Sequence, residues 1–173
     1  MKVFGLAGWS GSGKTTVMVN LLPELIQRGF SVSTVKHAHH KFDIDRPGKD
    51  SYEHRRAGAS EVMISSINRW ALMHELSDNN DLPLTELMEH MSPVDLLIVE
   101  GFKWEPHPKI EIHRPSLGKP LLQPDDRNIV AVASDKQLHS LDVPVLPLSD
   151  ILGIANFIVD AVSLEPSCAG SEL

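Results

Sequence analysis

The sequence contains a single cysteine, Cys168, in the closing stretch SLEPSCAGSEL. One thiol cannot pair within its own chain, so an internal disulfide framework is excluded and nothing calls for an oxidising compartment. Long apolar runs are also missing. None approaches the roughly 20 residues a spanning helix needs, and the opening residues lack the charged-then-apolar pattern of a secretory leader. We therefore expect a soluble cytoplasmic protein with no membrane partner. Positive charge is scarce, with 16 Lys and Arg against 23 Asp and Glu, a formal net charge of −7. A broad nucleic-acid surface needs a basic excess and is disfavoured. No internal repeat is evident. The 173 residues, 42% hydrophobic and 23% charged, have the size and balance of one globular domain. We expect that domain over 1–162, followed by a frayed tail over 163–173.

KVFGLA reads as a buried strand ending at Gly8. From Lys14 to Arg28, apolar residues at Val17, Met18, Leu21, Leu22, Leu25 and Ile26 follow the step of an amphipathic helix, with Gly29 as its stop and a bend at Pro23. SVSTVK is a second strand. The polar segment after it is expected to hold a short helix from Lys49 to about Arg56. Strand-like EVMISS and WALMHEL follow, then a helix from about Leu84 to Met91, the apolar strand in VDLLIVEGF, strands KIEIHR, NIVAVAS and VPVLPL, and a last helix from Asp150 to Val162. Alternating strands and helices with continuous apolar strands indicate an α/β fold, a mostly parallel sheet flanked by helices on both faces. The pair around Trp70 and the strand Lys109 to Arg114 are expected to form an antiparallel extension.

The chemistry begins at GWSGSGKTT, Gly8 to Thr16, where Gly8, Gly13, Lys14 and Thr15 stand at the G-x-x-x-x-G-K-T spacing of a phosphate loop. Placed between an apolar strand and an amphipathic helix, the motif has the context it requires and points to a P-loop NTPase-type domain. Glycines free the backbone to turn N–H groups inward, so Gly8, Trp9, Ser10, Gly11, Ser12 and Gly13 would wrap phosphate oxygens. The helix N-terminus adds its dipole. Lys14 would reach the β- and γ-phosphates, the Thr15 hydroxyl would ligate Mg²⁺, and Thr16 would contact the α-phosphate. VDLLIVEG supplies two acids. Ligands of parallel sheets lie beyond the carboxyl ends of the strands, so Glu100, at that end, is the expected metal-side or water-orienting acid, and Gly101 admits a backbone N–H to the γ-phosphate. Asp95, at the other end, is expected to be a solvated strand-start residue.

KHAHHKFDIDRPGKDSYEHR leaves the second strand on the same edge. Three readings stay open. It is a segment that rearranges with the γ-phosphate, Asp43 or Asp45 touching Mg²⁺ through water and Lys36, Arg46 or Lys49 touching phosphate; a solvated surface loop; or a transition-metal site built from His37, His39, His40, Asp43 and Asp45. NIVAVAS ends in Asp135, whose carboxylate would accept from guanine N1–H and its amine. Adenine offers no such pair. An Asp after a strand is also an ordinary turn or cap residue.

GWSGSGKTT, VKHAHHKFDIDRPGKDSYEHRRAGA, RWALM, LLIVEGFK and AVASD together resemble the MobB family of molybdopterin-guanine dinucleotide biosynthesis adapter proteins, from about Phe4 to Asp135. The resemblance implies a GTP-binding homodimer with slow GTPase activity that assists the guanylyltransferase MobA and the molybdenum-insertion protein. By position it makes Gly8 to Thr16 the GTP loop, Glu100 and Gly101 the acid-glycine step, and Asp135 the candidate guanine reader. Many GTP-binding proteins read guanine with Asn or Thr, Lys, a variable residue and Asp; here the place reads AVASD, without that Lys. Two other readings remain, a small-molecule kinase whose lid draws on Arg46, Arg55, Arg56 and Arg69, and a metallochaperone that depends on the histidines. No catalytic Gln or arginine finger can be placed, so slow hydrolysis is expected.

Overall fold

The computed structural model describes residues 1–38, 42–76 and 81–165. It contains β1 (Lys2–Ala7), α1 (Lys14–Gln27), β2 (Val32–Lys36), α2 (Asp50–Arg56), β3 (Glu61–Ser65), β4 (Trp70–His74), α3 (Leu84–Glu89), β5 (Leu96–Glu100), β6 (Lys109–His113), β7 (Ile129–Ser134), β8 (Val145–Pro147) and α4 (Ile151–Ala161). The chain divides into two compact units, one formed by Met1–His37 with the chain from Glu89 onward, the other by Ala38–Met88.

The first unit is a six-stranded sheet in the order β2-β5-β1-β6-β7-β8, with every pairing parallel. On one face, Phe4, Leu6, Ile98, Ile110, Ile112 and Ala131 pack beneath Val17, Leu21 and Leu25 of α1 and Ile154 and Ile158 of α4. In β5, Leu97 and Val99 point to the opposite face and are as fully buried as Leu96 and Ile98, which explains its unbroken apolar run. Cutting any of the leucines or isoleucines named here back to Ala would cost about 2–5 kcal/mol.

α1 begins at Gly13, its N-cap in the left-handed region, and of the predicted apolar stripe Val17, Met18, Leu21 and Leu25 are buried and Leu22 partly so, while Ile26 is exposed. The backbone N–H of Gly29 closes it on the Ile26 carbonyl. The helix runs through Pro23 because Pro23 and Val19, whose carbonyl loses its donor there, both lie on the exposed side. α4 is capped by the Asp150 carboxylate, which accepts from the Gly153 N–H at 2.9 Å.

Two expectations are corrected. β6 is not an antiparallel extension but an interior parallel strand between β1 and β7. Although polar, Lys109 and Glu111 are fully buried, with complete partners. Lys109 Nζ donates to Asp126 Oδ2 and to the Lys103 and Glu105 carbonyls, using all three of its donors. Glu111 accepts from the Leu122 and Gln123 N–H groups. Asp95 is likewise not merely solvated. Its carboxylate accepts from the Ser31 N–H and hydroxyl at 2.8 and 2.7 Å, pinning the entries of β2 and β5 together.

In the second unit, β3 and β4 form the expected antiparallel hairpin, with Val62 opposite Met73 on its buried face. The turn closes through the Ser66 N–H to the Arg69 carbonyl at 2.8 Å. Met63, Ile64 and Trp70 are exposed. Arg55 of α2 binds Asp43, Asp45 and Glu75, and lies over the Tyr52 ring.

Candidate functional site

Strand register builds one side of the site. β1, β5 and β2 are level, so that Leu6, Glu100 and Lys36 stand abreast at the carboxyl ends of their strands. Beyond β1 the chain turns into the phosphate loop. Gly8 has φ of 137°, and a Cβ there would run into the Ile112 carbonyl oxygen. A side chain is therefore excluded at the first motif position on two grounds. Ser12 is buried within the loop, and its hydroxyl has no protein partner.

Lys14 arches back over the loop, its Nζ donating to the carbonyls of Gly8 and Trp9 at 2.9 and 3.0 Å. Its pKa is lowered, first by burial; Glu100 opposes that shift, and Lys103 and Lys36 add to it. An anionic ligand would reverse the balance and hold the ammonium charged.

The Thr15 hydroxyl lies 3.4 Å from Glu100 Oε1, and Lys36 Nζ lies 3.5 Å from the same oxygen. The motif's hydroxyl and the predicted acid, 85 positions apart in sequence, thus meet. Both offer hard oxygen donors, the kind Mg²⁺ accepts. Next to Glu100, Gly101 has φ of 95° and faces His37, which a Cβ would approach to 2.8 Å. The close approach is locked by the His37 N–H to the Glu100 carbonyl and by ring contact between His37 and Phe102. Phe102 itself holds φ of 46°. Two successive left-handed residues turn the chain sharply off β5.

Trp9 reaches outward from the loop. Its indole N–H donates to the Pro120 carbonyl at 2.7 Å, and the Lys103 ammonium lies 4.5 Å from its ring centre.

The second side of the site is a cleft of about 540 Å³ beside the first turns of α1, lined by Thr16, Asn20, Arg114, Asp135, Leu148 and Ile151. It opens where β7 and β8 end, and Asp135 is at its rim. Sequence reasoning missed Arg114, although it directly follows β6. Its Nε donates to the Ser12 carbonyl at 3.0 Å and its Nη1 to Asp135 Oδ2 at 2.7 Å. It lay at the end of the strand expected to form an antiparallel extension.

The structure thus brings together Gly8 to Thr16, Glu100 and Gly101, with Asp135 joined to the loop through Arg114. Asp43 and Asp45 belong to the second unit, where both carboxylates bind Arg55, at 2.8 and 2.7 Å. The same contacts engage one of the arginines considered for a kinase lid. His39 and His40 lie outside the described residues, as does Cys168. Among the described residues no group of three His, Cys, Asp or Glu side chains is placed to hold a metal ion, and no helix is long and apolar enough to cross a membrane.

Residues 3–135 match the family described as MobB, molybdopterin guanine dinucleotide synthesis protein B. The chain is 45% identical to the molybdopterin-guanine dinucleotide biosynthesis adapter protein of Escherichia coli, with 91% of each chain covered. It is 42% identical to that of Haemophilus influenzae, over 90% of this chain and 86% of the relative. Among solved structures, a crystal structure of molybdopterin-guanine biosynthesis protein B superposes with a TM-score of 0.72 at 26% identity, over 92% of this chain and 99% of the other.

Proposed function

The chain belongs to the MobB family, and from that premise we propose that it is a GTP-binding adapter in the synthesis of the molybdopterin guanine dinucleotide form of the molybdenum cofactor, with slow Mg²⁺-dependent GTPase activity. The observation that carries this reading is the meeting of Thr15 and Glu100 at the mouth of a phosphate loop. In this reading the loop N–H groups and Lys14 hold the β- and γ-phosphates. Thr15 and Glu100 would hold Mg²⁺, which supplies charge neutralisation between those phosphates when bound. Glu100, restrained by Lys36, orients water on the γ-phosphate side, and Asp135 reads the guanine edge. The cleft beside Thr16 takes the nucleoside. Hydrolysis is slow because the sequence offers neither a placeable catalytic Gln nor an arginine finger. The proposed partners are the guanylyltransferase MobA and the molybdenum-insertion protein, met in the cytoplasm by a homodimer.

Calorimetric titration of GTP and ATP with Mg²⁺, repeated with the purified guanylyltransferase present, tests the reading. GTP is expected to bind more tightly, with an affinity that changes when the partner is added. Equal or ATP-preferring binding, indifferent to the partner, would instead put a small-molecule kinase first.

A further inference from the structure

We propose that Arg114 is a specificity-determining strut, which fixes the Asp135 carboxylate for a guanine edge and ties that carboxylate to the phosphate loop. The proposal rests on the reading of Asp135 as guanine reader and adds to it a residue outside the recognised motifs.

Arg114 stands at the end of β6, and its backbone carbonyl anchors the following turn by accepting from the Leu117 N–H at 3.0 Å. One planar guanidinium spans the two halves of the site, donating through Nε to the Ser12 carbonyl and through Nη1 to Asp135. It also lies against Gly13, where a Cβ would come within 3.5 Å of Nε and Nη2. A loop carbonyl and a rim carboxylate are thus held at a set separation by one rigid fork.

The chemistry of the contact is compatible with ligand binding. A carboxylate offers about four lone-pair sites, and the bond from Arg114 uses one on Oδ2. Guanine N1–H and the exocyclic amine need only two of the rest. The guanidinium charge also offsets that of Asp135, which otherwise would stand as a bare anion on the approach of a nucleoside triphosphate. Asp135 is about one-third exposed. Without the strut, its rotamer freedom would have to be lost on binding, at the expense of GTP and not of ATP.

The test is titration of GTP and ATP with Mg²⁺ into the wild-type chain, Arg114→Ala, Arg114→Lys, Asp135→Ala and the Arg114→Ala/Asp135→Ala double variant. Arg114→Ala should lower the GTP-to-ATP affinity ratio roughly threefold to tenfold. Arg114→Lys, which keeps the charge but loses the fork, should fall between. With Asp135 already removed, Arg114→Ala should leave the ratio unmoved. A ratio unchanged or raised by Arg114→Ala, or lowered equally with and without Asp135, overturns the strut while leaving the guanine reading intact. Loss of preference in the wild type, or no response to Asp135→Ala, removes both. Should Arg114→Ala fail to fold in a circular dichroism melt, Arg114→Lys carries the same comparison.

Discussion

At the phosphate-loop end of the parallel sheet, Glu100 and Lys36 hang from strand ends whose height is set by backbone pairing, whereas Asp43 and Asp45 of the second unit hang from a single arginine. Glu100 is level with Lys36 and Leu6 because three strands share one register. Asp43 and Asp45 are held where they are by Arg55, whose charge they stabilise. Backbone register survives the loss of any one side chain, while a hub of ion pairs does not. The first arrangement suits a site that must be ready before its ligand arrives, the second a segment that can change partners.

The largest effect should come from separating binding from folding at the sheet edge. Lys14→Ala is expected to weaken GTP binding about 1,000-fold, roughly 4 kcal/mol, by removing a charge from the phosphates. Its thermal melt should stay close to that of the wild type, since the ammonium bonds only its own loop. A variant that unfolded would make the lysine a structural element instead. Next in size is a pH effect confined to the same unit. His107 packs against Gly5 with both ring nitrogens buried and without protein partners, and burial, reinforced by Lys109, lowers its pKa to about 4. The unfolded chain takes up this proton near pH 6.5 and the folded chain only near 4. Stability from the neutral ring is thus complete above 6.5 and is lost as the pH falls towards 4, by about 3 kcal/mol. Urea unfolding at pH 7 and 4.5 should reveal the slope, and His107→Leu should flatten it. The smallest effect lies in the other unit. Arg55→Ala should speed amide exchange in residues 43–75 roughly tenfold and leave β1 and β5 unchanged, by hydrogen-exchange mass spectrometry. Equal loosening of both would mean that the contrast between register and hub does not hold.

The legible parts of the molecule were those in which local pattern and tertiary role agree. The apolar run of β5, the stripe of α1 and the glycine spacing of the loop each carry one meaning, and the meeting of Thr15 with Glu100 followed from knowing which end of a parallel strand faces the ligand. β6 was misread because KIEIHR alternates like a half-solvated strand. Its polar side chains are instead satisfied by Asp126 and by the backbone of residues 103–123, partners that no periodicity can announce. Arg114 was hidden for the same reason. Asp95 seemed idle because its partner, Ser31, is 64 positions away.

The strand order also has a bearing on how the molecule is made. β1 leaves the ribosome first of the six, yet both of its ladders are supplied by β5 and β6, about ninety residues or more downstream. At a synthesis rate of roughly 5–20 residues per second, this first strand waits about 5–20 seconds for its neighbours. Until they arrive, an apolar segment that will become the centre of the sheet is exposed to whatever else is nearby. The nucleotide loop is thus written early and assembled late, and a nascent chain cut short before β5 would carry the whole motif without the means to use it.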